Sequence, residues 1–422
     1  MDVLVERCAG LDVHQAVIVA CALISADKGR VRKETREFAS TVKGLAALVG
    51  WLEELGVSHV GMESTGVYWM PVFAALEAAG GFDLIVANAQ HVKAVPGRKT
   101  DVRDAEWLAQ LARHGLMRKS FIPAQPFRDL RDLMRYRRTL VETQASERRR
   151  LIKQLEQVNV KLAGVLSDVF GVSGRAILRA LIANDRTPEE MAGLARGVAR
   201  RKWAVLRDAL EGSLKDHHRA ILATQLARVE ACEADIAALD RRIREHLAPY
   251  APEIELLTTI PGIDWLSAAI ILAEIGTDLS AFPSAGHLAA WSGTSPGNNQ
   301  SAGKNKPAAA RKGNPHLKTA LCNAAVAAAH KKGSYLKAKY YKLKSRIGAG
   351  KAIMAIAHKL VVAIFHVLTQ ATVFKELGET YLDTRDVKRS AQKHIRKLRS
   401  LGYDVALIPQ TEQAEKAMPL KV

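Results

Sequence analysis

The chain has 422 residues, a formal net charge of +19 and 48% hydrophobic residues. This length supports two or three domains with hydrophobic cores. The first ten residues, MDVLVERCAG, lack the basic start of a signal peptide, and the apolar run 352–374 is interrupted by His and Lys, which favours a buried helix over a membrane span. The four cysteines are dispersed and form no CxxC pair, so we expect reduced thiols, no zinc site and a cytoplasmic protein near the nucleoid.

The first 122 residues alternate between strand-like and helix-like patterns. Val/Ile-rich or alternating runs predict strands, and apolar spacing of three and four predicts helices. The predicted strands are 3–9, 16–24, 31–39, 57–62 and 82–87, and the predicted helices are 42–55, 68–79 and 100–114. Three strands followed by alternating helices and strands indicate an α/β domain with a ribonuclease H-like mixed sheet.

Four carboxylates fall at the ends of these predicted elements. Asp12 (GLDVHQ) and Glu63 (GMESTGVYW) lie at strand ends, and Asp101 and Asp104 (KTDVRDAEWLA) lie about 300° apart on one helix, nearly on one face. Like charges brought together raise one another's pKa unless a cation compensates them, and hard oxygen ligands favour Mg²⁺ or Mn²⁺. The pattern therefore predicts a two-metal phosphodiester site, whereas each carboxylate taken alone is typical of a solvated surface group.

Residues 123–250 have a helical pattern. Leu151, Leu155, Val158 and Leu162 step by four, three and four, and a second series, from Val229 to Ile243, continues this heptad spacing. Short helical patches around residues 164–214 separate the two series. We expect an antiparallel coiled-coil region that assembles protomers, with an ordinary intramolecular helix bundle as the alternative.

Residues 251–350 form a further predicted helical domain. It opens with LLTTIPGIDWLSAAIILAEIG, which is similar to a helix-hairpin-helix, a motif that holds a backbone phosphate. Asp264 replaces the second glycine of that motif, so a purely structural hairpin remains the alternative. Residues 351–422 are expected to form a C-terminal helix and a basic tail.

A polar loop within the C-terminal domain carries Ser301 (GTSPGNNQSAGKNK). Four cations surround this serine and favour contact with nucleic acid: Lys304, Lys306, Arg311 and Lys312. A serine hydroxyl attacks phosphorus only when a base or metal takes its proton and cations stabilise the charge. A serine in such a loop is otherwise an ordinary turn residue.

The positive charge is unevenly distributed. Residues 1–122 hold 14 Lys/Arg against 14 Asp/Glu, whereas residues 251–422 hold 24 against 12. No acidic residue occurs between Asp278 and Glu376, where 15 Lys/Arg occur. Such a stretch favours phosphate neutralisation over generic solubility charge, without distinguishing DNA from RNA.

A resemblance to a known family is carried by the sequences and the order of five motifs: DVHQ, ESTGVYW, KTDVRDAEWLA, GTSPGNNQSAG and RKGNPHLKTAL. The chain resembles the insertion-sequence transposases that combine a RuvC-like DEDD domain with a C-terminal serine. These are relatives of the Piv-type DNA invertases and are described as bridge-RNA-guided recombinases. The resemblance covers roughly residues 5–350. It implies metal binding by Asp12, Glu63, Asp101 and Asp104, and a covalent link between DNA and Ser301.

The resemblance also implies a homo-oligomer, dimer or tetramer, with donor DNA, target DNA and a noncoding guide RNA as partners. Two alternatives stay open. A RuvC-like metal-dependent endonuclease without a covalent intermediate would need the carboxylates and not Ser301. An architectural nucleic-acid-binding protein would need only charge and the hairpin.

Overall fold

The computed structural model describes residues 3–26, 30–89, 92, 104–297, 300–301, 304–305, 312–384 and 387–406. Within it the chain forms two compact units, residues 1–122 and residues 123–422. The first is a mixed α/β unit and the second is mostly helical. The expected division of the second unit into three domains remains a prediction.

The first unit is built on a five-stranded sheet with the order β3-β2-β1-β4-β5. Its strands are β1 (Arg7–Val13), β2 (Val17–Ser25), β3 (Val31–Ala39), β4 (His59–Glu63) and β5 (Asp83–Ala87). β1, β2 and β3 pair antiparallel, and β4 and β5 continue parallel to β1. The expected mixed sheet is confirmed, and it is consistent with a RuvC-like DEDD domain.

Helices cover both faces of this sheet. On one face, α1 (Val42–Glu54) and α2 (Trp69–Ala79) bury their apolar sides against β1, β2, β4 and β5. On the other face, α3 (Asp104–Arg113) buries Ala105, Ala109 and Ala112 against the cysteine-bearing side of β1 and β2. The sheet is therefore buried on both sides around β1 and β4.

The first predicted strand, 3–9, was wrong by four residues. Leu4 and Val5 do not enter the sheet, because their amides donate to the carbonyl of Arg113 at the end of α3. The strand begins instead at Arg7, which pairs with Ile24. This shift carries Asp12 into the last residues of β1.

The second unit contains two long antiparallel helices, α4 (Gln125–Gln157) and α9 (Asp216–Leu247). Ion pairs join them along their length, such as Arg137 with Asp240 and Arg148 with Glu233. Between them in the chain lies a small helical subdomain, whose apolar core also includes Leu151 and Leu155 of α4 and Leu222, Leu226 and Val229 of α9. Its helices are α5 (Leu162–Val165), α6 (Val172–Ala183), α7 (Pro188–Gly193) and α8 (Trp203–Ala209), with a 3-10 turn at Gly197–Lys202.

The remaining helices of this unit follow α9 after a 3-10 turn at Ala248–Tyr250. They are α10 (Ala251–Thr258), α11 (Trp265–Ile275), α12 (Ala285–Trp291), α13 (Pro315–His330), α14 (Tyr335–Ile347), α15 (Ala349–Gln370), α16 (Tyr381–Thr384) and α17 (Val387–Ser400). Among the described helices, α15 alone is long and apolar enough to cross a membrane by composition. It packs against α13, α14 and α12, as a core helix does.

The hairpin between α10 and α11 packs against α13. Gly262 has φ +87°, and a Cβ there would lie 2.2 Å from the backbone oxygen of Ala324 on α13. Asp264 caps α11 by accepting a 2.8 Å hydrogen bond from the amide of Ser267. These contacts favour the structural alternative for this hairpin, because the glycine side that a phosphate would approach is occupied by α13.

Candidate active site

Asp12 and Glu63 lie at the same edge of the sheet. Leu11 of β1 pairs with Met62 of β4, and the two carboxylates follow directly after this pair. Parallel strands end at a common edge, so the two side chains leave neighbouring strands side by side. Because side chains alternate between faces, Asp12 lies on the face of Gly10 and Glu63 on the face of Gly61.

Both glycines lie under α3. A Cβ at Gly10 would lie 2.2 Å from the oxygen of Ala105 and from the nitrogen of Ala109, and a Cβ at Gly61 would lie 3.3 Å from the Cβ of Ala112. Glycine at position 10 lets the helix backbone approach the sheet closely, and Gly61 leaves room for the side chains of Met117 and Ala112. Asp12 and Glu63 are therefore on the face of the sheet that α3 covers.

The direction of α3 decides which of its ends meets the carboxylates. Its last residue, Arg113, accepts hydrogen bonds from Leu4 and Val5 before β1, while Ala105 in its first turn contacts Gly10. The helix thus runs opposite to β1. Asp104, its exposed first residue, lies toward the strand end that carries Asp12.

Two of the three described carboxylates, Asp12 and Glu63, have local partners. The imidazole Nε2 of His14 lies 3.0 Å from Oδ2 of Asp12, and the hydroxyl of Thr65 donates to Oε1 of Glu63. Among the residues that the structure describes, no three His, Cys, Asp or Glu side chains form a group placed to hold a metal ion. The donor chemistry and the shared edge fit a divalent cation. The predicted fourth ligand, Asp101, lies outside the described residues.

Ser301 lies in a small hairpin of the second unit. It belongs to β6 (Gln300–Ser301), which pairs antiparallel with β7 (Lys304–Asn305), and Ser301 is opposite Lys304. The side chains of this hairpin, and Lys306 and Arg311 altogether, lie outside the described residues. Lys312 is described and exposed. The backbone register brings the predicted serine and one predicted cation together.

The end of this loop is anchored by close backbone packing. A Cβ at Gly313 would lie 2.2 Å from the nitrogen of Gly293, and the amide of Asn314 donates to the carbonyl of Trp291. Asn314 also caps α13, since its side-chain oxygen accepts from the amides of His316 and Leu317. The motif RKGNPHLK thus fixes where the serine loop rejoins the helical core.

A buried ionic cluster holds the same anchor. The Glu274 side chain is 2% exposed and lies 3.1 Å from Nε of Arg131 and 2.9 Å from Nη2 of Arg135. Its Oε2 also accepts a 2.6 Å hydrogen bond from Nδ2 of Asn314. Burial lowers the pKa of Arg131, and burial, reinforced by Arg135, lowers the pKa of His316. Helices α4, α11 and α13 therefore meet at one carboxylate.

Two local partners were missed by sequence reasoning. His14 and Thr65 each stand two residues after a candidate carboxylate, in DVH and EST. Polar residues at a spacing of two from a strand-end carboxylate share its side of the chain, and this spacing was the available signal. Glu274 was also missed, because nothing in its apolar helix indicated a partner on α4.

Comparison with known proteins finds two transposase domain models that match this chain. A domain model of DEDD transposases of the IS110 type, described as Transposase, matches residues 9–160. A second model, described as Transposase IS116/IS110/IS902 family, matches residues 254–341. The matched regions contain Asp12, Glu63, Asp104 and Ser301, and together they span more than half of the chain.

Two curated proteins are similar to this chain, each at 25% identity. The uncharacterized 42 kDa protein of insertion element IS900 from Mycobacterium paratuberculosis is 25% identical over 243 residues, which are 50% of this chain and 60% of that protein. The transposase for insertion sequence element IS1533 from Leptospira borgpetersenii is 25% identical over 270 residues, 63% of this chain and 68% of that protein. With both domains present in order, the chain belongs to the IS110/IS116 family of transposases.

Proposed function

We propose that this protein is the transposase of an insertion sequence and that it cleaves and rejoins DNA with two groups of residues. The first group is the set of carboxylates Asp12, Glu63, Asp101 and Asp104. The second is Ser301 with the cations around it. The observation that carries the proposal is the meeting of two parallel strand ends and the start of α3 at one edge of a sheet, in a chain that matches both family domains.

The four carboxylates would hold Mg²⁺ or Mn²⁺. When bound, such ions stabilise the charge on phosphate oxygens and lower the pKa of an attacking hydroxyl. With such ions bound, the carboxylates would hold the scissile phosphate at the edge of the sheet. His14 and Thr65 hold the side chains of Asp12 and Glu63 until the substrate enters.

Ser301 is proposed as the nucleophile. Its hydroxyl gives its proton to solvent water as its Oγ forms a bond to phosphorus, and one deoxyribose oxygen leaves with the electron pair of the broken P–O bond and takes up a proton from water. Lys304, Lys306, Arg311 and Lys312 would neutralise the phosphate during this exchange. The bond energy stays in the serine–phosphate link, so a second strand can be joined by the reverse reaction.

The partners follow from the same proposal. Donor and target DNA are the substrates, a noncoding guide RNA pairs with both, and a dimer or tetramer of the chain brings the strands together. The acid-free stretch between Asp278 and Glu376, with its 15 Lys/Arg, supports a polyanionic partner.

The experiment is a search for a DNA-linked peptide that spans Ser301, by mass spectrometry, in cells that contain the whole element. Ser301→Ala and Asp104→Asn should each abolish the adduct. Ser295→Ala, in the same polar segment, and Glu106→Gln, in the same turn as Asp104 but paired with Lys33, are the matched controls and should retain it.

Metal-dependent cleavage that survives Ser301→Ala, without any adduct, would refute the serine mechanism and establish the endonuclease alternative. Normal strand exchange by Asp104→Asn would refute the carboxylate site.

A further inference from the structure

The basic helix α14 has one buried face and one open face. Leu336 and Tyr340 are buried and pack toward α13 and α15, and α16 contacts the first turn of α14, where the ring centroids of Tyr335 and Tyr381 lie 5.6 Å apart. The opposite side carries Ala338 and Ser345, with the half-exposed ring of Tyr341 beside them. Helix α14 contains no acidic residue. Its outer face therefore has small side chains at the centre and cationic side chains along both margins.

The cations form two stripes along this face. With about 100° per residue, Lys337 and Lys344 fall on one side of the helix, and Lys342 and Arg346 fall on the other, about 180° away. Ala338 and Ser345 lie midway between the stripes, opposite the buried face. With a rise of about 1.5 Å per residue, Lys337 and Lys344 are about 10 Å apart along the helix and Lys342 and Arg346 are about 6 Å apart, so each stripe can contact about two phosphates.

Ion pairs among the described residues do not neutralise these cations. In the described part of the chain, no carboxylate forms an ion pair with Lys337, Lys342 or Arg346, and Lys344 lies 5.8 Å from the ring centre of Tyr341.

The arginines of the long helix α4 differ in this respect. Arg135, Arg137 and Arg148 are paired with Glu274, Asp240 and Glu233, respectively. The positive charge of α4 thus largely stabilises the helical core, whereas that of α14 is available to a partner.

The arrangement fits a groove bordered by two phosphate strands. The major groove of B-form DNA is about 12 Å wide and admits an α-helix, so a cation stripe on each side meets one strand. Small residues at the centre let the helix approach the base edges. The major groove of double-stranded RNA is deep and narrow and does not admit a helix.

We infer that α14 docks in the major groove of duplex DNA, with Lys337 and Lys344 on one backbone and Lys342 and Arg346 on the other. The inference rests on the proposed function only in taking DNA as the substrate. It uses neither Ser301 nor the carboxylates, so the test is made on full-length protein that carries Ser301→Ala. A failure of the proposed chemistry leaves the binding result unchanged.

The test compares the affinities for a 30-base-pair DNA duplex, the same duplex as RNA, and single-stranded RNA, over a range of salt concentrations. Lys342→Gln with Arg346→Gln should lower the affinity for duplex DNA about tenfold and reduce the salt slope by about 1.8, since each lost phosphate contact removes about 0.9. Binding of both RNAs should stay unchanged.

The matched control is Arg149→Gln with Lys153→Gln. These two exposed cations on α4 have the same spacing of four, and within the described residues they have no ion-pair partner. This double variant should retain the DNA affinity. Circular dichroism should show equal helix content in both double variants.

A second variant tests the groove without changing charge. Ala338→Trp places bulk between the stripes and should weaken duplex DNA binding about tenfold or more, whereas Ala231→Trp on the exposed side of α9 should not. Glucosylated 5-hydroxymethylcytosine, which fills the major groove, should reduce binding of the parent protein to a similar extent.

An equal loss of affinity for the RNA probes would overturn the inference and make this face an RNA surface. Unchanged binding of duplex DNA by the Lys342/Arg346 variant, or by Ala338→Trp, would also overturn it.

Discussion

Gly10 is the position where one methyl group should displace the candidate site. A Cβ added at Gly10 would lie 2.2 Å from the backbone oxygen of Ala105 and from the nitrogen of Ala109. Non-bonded heavy atoms with optimal contact are about 3.5–4.0 Å apart, so Gly10→Ala must move α3 and β1 apart by about 1 Å or more. Both obstructing atoms belong to a helix backbone, which cannot rotate away as a side chain does.

Overpacking of this kind costs about 1–3 kcal/mol, and we expect the upper end because the backbone must shift. The same shift moves Asp104 relative to Asp12. A misplacement of about 1 Å costs on the order of 100-fold in rate for a geometry-dependent reaction. Gly10→Ala should therefore lower both the urea midpoint of the first unit and the yield of the DNA adduct.

The control is Gly50→Ala in α1, where an added Cβ meets no atom within 4 Å. This variant should gain about 0.5–1 kcal/mol, since alanine favours a helix over glycine. Urea titration and adduct yield are measured on both variants. A Gly10→Ala protein with normal stability and normal adduct yield would show that α3 does not lie against β1 as described.

Three further predictions concern other sites. Glu274→Gln should lower the unfolding free energy by about 3 kcal/mol, because it leaves the buried Arg131 without its counter-charge. Glu142→Gln, in an exposed ion pair, should lower it by about 0.5 kcal/mol or less. Equal urea midpoints for the two variants would contradict this prediction. Asn314→Asp keeps a good helix cap but places a second carboxylate beside Glu274, so it should destabilise the protein more than Asn314→Ala, and thermal melting gives the order. Burial raises the pKa of Cys8 to about 11 from 9.0, so the stability that its protonated thiol contributes is present below about pH 9 and is lost toward pH 11. The unfolding free energy should therefore decline over this pH range, and Cys8→Ala should make that decline about 2–3 kcal/mol smaller. An unchanged decline in the variant would refute this prediction.

Local patterns were sufficient for much of the first unit. Strand β3 was predicted over 31–39 and is observed over Val31–Ala39, and α1 was predicted over 42–55 and is observed over Val42–Glu54. Side-chain alternation and helix caps depend on residues only a few positions apart, so the sequence carries them directly. The first strand failed because Leu4 and Val5 follow the same apolar pattern, and only their hydrogen bonds to the distant Arg113 remove them from the sheet.

The placement of the site required long-range structure. The sequence by itself determined that Asp12 and Glu63 stand at strand ends and that the cations gather after Asp278. Only the tertiary structure decided that α3 runs opposite to β1 and brings Asp104 toward Asp12, because Gly10, which has no side chain, permits that contact. It also decided which cations are available. Arg135 and Lys342 contribute the same unit of charge, but the first is paired with a carboxylate 139 residues away and the second faces outward. A pairing over that distance is set by packing, which no local pattern encodes.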